Sequence, residues 1–93
     1  MAAPMLKVLN VGMLAMSVFD FAAAGDVLPM HVHDEATAHV TLVQRGAVRV
    51  HSGGSAMIFG AGDIIDTHPG QPHEFEALEP NTRITNIVKG IRG

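Results

Sequence analysis

No stretch of this chain runs far without a turn. Runs of four to eight β-prone residues alternate with clusters of Gly, Pro, Asn and Asp from one end to the other. Such punctuation leaves no room for a helix of ordinary length and argues for short strands. The predicted strands are 6–11, 15–22, 27–33, 39–44, 48–51, 56–59, 64–67, 73–78 and 82–89. Ser52-Gly53-Gly54-Ser55 is a strong hairpin turn, because glycine reaches positive φ without steric cost. Gly60-Ala61-Gly62-Asp63 is a second turn, in which Asp63 reads as a turn residue. Pro69-Gly70-Gln71-Pro72 is excluded from a strand interior, since two prolines remove ladder donors. The segment 73–78 alternates, with His73, Phe75 and Ala77 on one face, read as core, and Glu74 and Glu76 on the other. The expected fold class is all-β, a small barrel or two-sheet sandwich.

A chain of 93 residues is sized for a single domain, here 1–93, with no repeat, linker or low-complexity tract. A chain this short buries only about 60–65% of its unfolded surface, so a metal ion, an oligomer interface or both are expected to support it. Cysteine is absent, which excludes disulfides and thiolate sites and leaves histidine and carboxylate as the strong metal ligands. The net charge is −3 and the six Lys and Arg are scattered, so no electrostatic footprint for nucleic acid exists. Residues 1–24 are mostly apolar and end in three alanines before Gly25, a pattern shared with cleavable signal peptides. Lys7 lies inside the segment, and Asn10 and Asp20 interrupt it. A membrane span of about 20 apolar residues is thereby excluded, and a pair of N-terminal strands in a cytoplasmic protein is preferred over export.

The six histidines stand at positions 31, 33, 39, 51, 68 and 73. His31 and His33, one residue apart, share a face of a strand with Cα atoms about 7 Å apart. An ion about 2.0–2.1 Å from each imidazole nitrogen bridges that gap. His39 opens the next predicted strand and His73 a later one, and in a closed sheet such strand ends converge on one mouth. His51 borders a hairpin turn and reads as an ordinary exposed residue. His68, beside the proline turn, also reads as ordinary, with orienting a ligand or passing a proton as the functional alternative. Glu35, two residues after His33, is the competing ligand.

The wider spacing adds a frame. Gly25 precedes His31-Val32-His33 by five residues, His39 follows after five more, and Gly46 after a further six. Gly62-Asp63 is followed after four residues by His68-Pro69-Gly70-Gln71-Pro72-His73. These two stretches resemble the paired sequence motifs of the cupin family, over about half of the chain. The resemblance implies a single small β-barrel, the double-stranded β-helix or jelly roll, and places His31, His33 and His73 at the family's histidine ligand positions. His39 stands where the family carries a glutamate, counted back from Gly46. His68 replaces the first proline of the second motif, and Ala77 its asparagine. The implied site is four neutral imidazoles around one divalent transition metal ion, Fe, Mn, Ni, Zn or Cu, whose identity the ligand set does not name.

Four imidazoles leave two positions open on an octahedral ion, enough for a bidentate substrate or a substrate with dioxygen. The leading expectation is therefore a metal-dependent enzyme on a small oxygen-bearing molecule, a dioxygenase or an isomerase or lyase of a small acid or sugar derivative. The rivals are a non-catalytic ligand-binding or sensor module and a cupin whose metal is structural. Asp66, His68 and Asn86 are conceivable second groups, and the sequence does not settle which face they occupy. Cupins commonly dimerise through edge strands. With apolar residues on both faces of 40–43, a homodimer is expected, with the N-terminal strands as contributors.

Overall fold

The computed structural model describes residues 2–12, 14–31, 37–66 and 72–90; at positions 11, 30, 31, 37–39 and 88–90 it describes the backbone alone. Nine strands follow one another: β1 (Met5–Val11), β2 (Leu14–Phe21), β3 (Val27–His31), β4 (Thr37–Arg45), β5 (Ala47–Ser52), β6 (Ser55–Gly60), β7 (Ile64–Ile65), β8 (His73–Ala77) and β9 (Thr82–Gly90). They form two antiparallel sheets, one ordered β1-β2-β9-β4-β7 and the other β3-β8-β5-β6. The all-β expectation holds, with small shifts at the ends. The strand beginning at Ile64 stops after two residues, leaving exposed Asp66 outside it. β4 opens at Thr37 rather than at His39, because its ladder to β9 already pairs Thr37 with Gly90. β8 ends at Ala77, one residue short of the expected bound, and the Leu78 N–H makes the last bond to β5, at 2.9 Å to the Ala47 carbonyl.

One residue in two along each strand faces inward, and over the middle of the sandwich those residues are apolar. Phe21, Val43, Val48, Val50, Ile65, Phe75, Ala77 and Ile84 form a single buried cluster, with Phe19, Leu28 and Phe59 packed against it. The core thus draws on both sheets. The outer faces carry the charge: Arg83 makes a two-pronged pair with Asp20 at 2.7 and 3.0 Å, and Arg49 and His51 share Glu76 at 3.2 and 3.4 Å.

One end of the sandwich is tied shut. The Ala77 N–H donates to the Asp26 carbonyl at 2.9 Å, the Gly25 N–H to the Ala77 carbonyl at 2.8 Å, and the Leu78 N–H to the Ala47 carbonyl at 2.9 Å. The Thr82 hydroxyl adds contacts of 3.4 Å to both the N–H and the carbonyl of Ala47. Asp26, 5% exposed, accepts the N–H groups of Ala2 and Ala23 at 3.1 Å each. Those bonds hold its carboxyl below the ordinary carboxylate range. Ala77 of β8 and Thr82 of β9 therefore mark the same level in opposite sheets, and both strands leave it for the other end of the molecule.

Candidate functional site

The candidate side chains lie at that other end. His73 precedes Ala77 by four residues and Asn86 follows Thr82 by four, so each is roughly 13 Å from the tied end. In the four-stranded sheet the row at this level is His31, His73 and Ser52, because His73 pairs in register with His31 on one side and Ser52 on the other. In the five-stranded sheet the row is Ser17, Asn86 and Thr41, again direct register partners. The rows beneath are apolar: Leu28, Phe75 and Val50 in one sheet, Phe19, Ile84 and Val43 in the other. A polar layer thus caps an apolar floor inside the sandwich. Among the described residues, the inward positions of this layer carry no Lys, Arg, Asp or Glu.

His73 is the best-defined member. It is 1% exposed, and its ring meets the ring of Phe75 edge-on, with centroids 5.6 Å apart and planes at 80°. A buried imidazole resting against an aromatic edge is restricted in orientation, as a ligand position requires. His31 enters through the register alone: directly opposed strand positions bring Cβ atoms to about 4.5–5.5 Å, a span one metal ion can bridge through two imidazoles. A register shift between Leu28 and His31 breaks the ladder just before this pair, and such irregularities re-aim side chains. His39 pairs with Val88, one inward row beyond Thr41 and Asn86 and on the strand parity of buried Thr41 and Val43. Three of the four histidines expected as ligands thus occupy strand positions at one end of the molecule. His33, Glu35 and His68 lie outside the described residues. Among the described residues no cluster of three or more His, Asp or Glu side chains occurs, and the side chains of His31 and His39 are not among them.

His51 lies outside the polar layer, as expected, but it is paired rather than free. It is half-buried on the outer face, Nε2 3.4 Å from Glu76 Oε1, on the side of β5 opposite to Val50 and Ser52. Hydrogen bonds from His51 and Arg49 hold the Glu76 carboxyl below its usual range. Its role is to join β5 to β8 from outside, away from the polar layer. Asp63 accepts the Gly60 N–H at 2.8 Å, the turn function expected of it. Asn86 is now placed: it faces inward, 4% exposed, and accepts a hydrogen bond of 2.6 Å from the Thr41 hydroxyl. Thr41 and Ser52 escaped the sequence reading. Their only signal was strand parity, since each stands two residues from a core valine, Val43 and Val50.

Imidazole suits a transition metal, and this layer brings buried His73 and the backbone position of His31 into register, with no Lys or Arg at its inward positions among the described residues. The sequence profile of the AraC-like ligand binding domain matches residues 14–87. The chain belongs to this cupin-type family. Solved structures agree on the fold. KdgF from Halomonas sp. is 24% identical with a TM-score of 0.79, covering 94% of this chain and 78% of that one. An uncharacterised conserved protein with a double-stranded β-helix domain from Klebsiella pneumoniae is 25% identical with a TM-score of 0.81, covering 95% and 77%. An RmlC-like cupin protein from Desulfovibrio desulfuricans is 17% identical with a TM-score of 0.81, covering 94% and 82%. No curated protein matches the sequence.

Proposed function

We propose that this cupin binds one divalent transition metal ion through His31, His33, His39 and His73 and acts on a small oxygen-bearing molecule coordinated beside it. The observation that carries the reading is the register pairing of His31 with buried His73 at the polar end of the interior. When bound, such an ion acts as a Lewis acid on a carbonyl or hydroxyl oxygen, or as a centre for dioxygen chemistry. The chain's own contribution is placement. Phe75 restricts the His73 ring, the apolar rows beneath exclude water from the floor, and Ser17, Thr41, Ser52 and Asn86 offer uncharged hydrogen-bonding groups around the layer. The ion's charge is thus left for the bound molecule to meet.

A second reading has its own support. The matched family is described as a ligand-binding domain, and the described part of the polar layer holds no carboxylate or lysine to act as general acid or base. In that reading the domain is a sensor or carrier and its metal holds ligand or fold without turnover. Elemental analysis of the purified protein tests the shared part: close to one equivalent of transition metal per chain is expected, and calcium or magnesium alone counts against it, because those ions demand oxygen ligands. Turnover assays of the loaded protein with small dicarbonyl and uronate-like compounds then separate enzyme from binding domain. The same reading includes a homodimer built on the N-terminal hairpin.

A further inference from the structure

Asn86 is buried at the level of His73 although the strands around it have no need of it. β9 pairs with β4 over eight register positions and with β2 over eight, so both ladders are set by backbone bonds and by the apolar rows. An aliphatic residue there would extend the core without the cost of burying an amide. A carboxamide has two N–H donors and an acceptor oxygen with two lone pairs. The Thr41 hydroxyl, 0% exposed, gives its single proton to Asn86 Oδ1 at 2.6 Å. That bond turns the oxygen end of the amide toward β4 and commits the nitrogen end to donation. Next to Asn86 on the other side stands Ser17, half-buried and uncharged.

From this geometry we infer that the Asn86 carboxamide, oriented by Thr41, donates a hydrogen bond to an acceptor oxygen of a molecule held at the histidine end of the sandwich interior. This rests on the metal-binding reading above and assigns the group that orients the bound molecule. Thr41 is a positioning residue that acts through Asn86. The acceptor is a carbonyl, hydroxyl or carboxylate oxygen; an ammonium or amide N–H at that spot meets a donor and is rejected.

The test uses cobalt(II)-loaded protein titrated with acetohydroxamate, a small bidentate oxygen donor, followed through the visible cobalt spectrum. Cobalt affinity is measured first for every variant, so that metal binding and ligand orientation are read separately. Asn86→Leu is expected to leave cobalt affinity unchanged and to weaken hydroxamate binding about fivefold to tenfold, the loss of one neutral hydrogen bond. Asn86→Asp, which keeps both the shape and the Thr41 bond and replaces the donor with an acceptor, weakens it at least as much and decides the matter should the leucine variant fail to fold. Thr41→Val gives a smaller loss, and the Thr41→Val, Asn86→Leu pair is no worse than Asn86→Leu alone. A purely structural Asn86 lowers melting temperature in these variants with hydroxamate affinity intact, and that result overturns the inference while leaving the metal reading standing. Wild-type protein whose cobalt spectrum does not respond to hydroxamate also overturns it. Wild-type protein that takes up no cobalt overturns both, and the cobalt titration alone shows which has happened.

Discussion

Gly46 turns the chain from β4 into β5 with φ at +78°, a conformation that L side chains seldom adopt. A Cβ added there would come within 2.9 Å of the Thr82 Cα and closer still to its hydroxyl, the group that bridges to Ala47 at the tied end. Since β9 backbone cannot retreat without breaking its ladders, Gly46→Ala is expected to cost about 2 kcal/mol or more, read as a lower denaturation midpoint with unchanged slope. His73 poses the functional counterpart. A metal-bound imidazole must be neutral, so binding depresses the ligands' folded-state pKa values below the unfolded value of about 6.5. The stabilisation is then present above that pH and is lost as pH falls through the depressed values. Metal release with a drop in melting temperature is expected below about pH 6. His73→Ala should weaken metal binding sharply and remove that step; His51→Ala, on the outer face, should leave both in place. Equal behaviour of the two would remove His73 from the site.

At the scale of elements, the pairing of β2 with β9 is reinforced outside the barrel by Asp20, which accepts two bonds from Arg83 and one of 3.3 Å from Arg45. The Arg83 hydrogen bonds, acting first, hold the Asp20 carboxyl below its ordinary range. A depressed carboxyl stabilises above its unfolded value near pH 4 and loses that contribution as pH falls through its folded value. Asp20→Asn should therefore lower the melting temperature slightly at pH 7, and the difference from wild type should vanish in acid melts near pH 2–3. A difference that persists there would mean that packing, not charge, carries the effect. Asp20 entered the sequence reading only as an interruption of an apolar run, because the partner that explains it is 63 residues away. The succession of strands along the chain and their turns were legible because Gly53, Gly54 and Gly62 mark chain reversals locally, and their positive φ values are what those turns require. The inward set of β8 was legible from alternation alone, and His73, Phe75 and Ala77 are all buried. Register was not legible: that His73 faces His31 and Asn86 faces Thr41 depends on pairing between distant strands. The polar layer was consequently seen as histidines without their neighbours.

At the scale of the whole molecule, the largest run of exposed apolar residues among the described ones lies on β1. β1 is an edge strand of the five-stranded sheet, and Met5, Leu6, Val8 and Leu9 on it are 70%, 53%, 58% and 57% exposed. Leu6 and Val8 pair with Phe19 and Ser17 and so continue the inward face of β2, whereas Met5 and Leu9 lie on the opposite face. The strand is apolar on both sides and has an unpaired hydrogen-bonding edge, the arrangement that monomeric proteins blunt with charge, proline or a bulge. Along β1 the single charged residue is Lys7. In the proposed homodimer a second copy would supply both a backbone partner for this edge and the apolar cover, and would help to hold so small a core. The chain is expected to scatter light as a dimer at micromolar concentration. Val8→Lys, which sets a charge on the inward side of the edge without touching the core cluster, should shift the mass to that of one chain and give a lower melting temperature that no longer depends on protein concentration. Glu79→Lys, on the exposed turn before β9, is the matched control and should remain dimeric. A wild-type monomer, or a Val8→Lys protein that stays dimeric, would place the interface elsewhere or remove it.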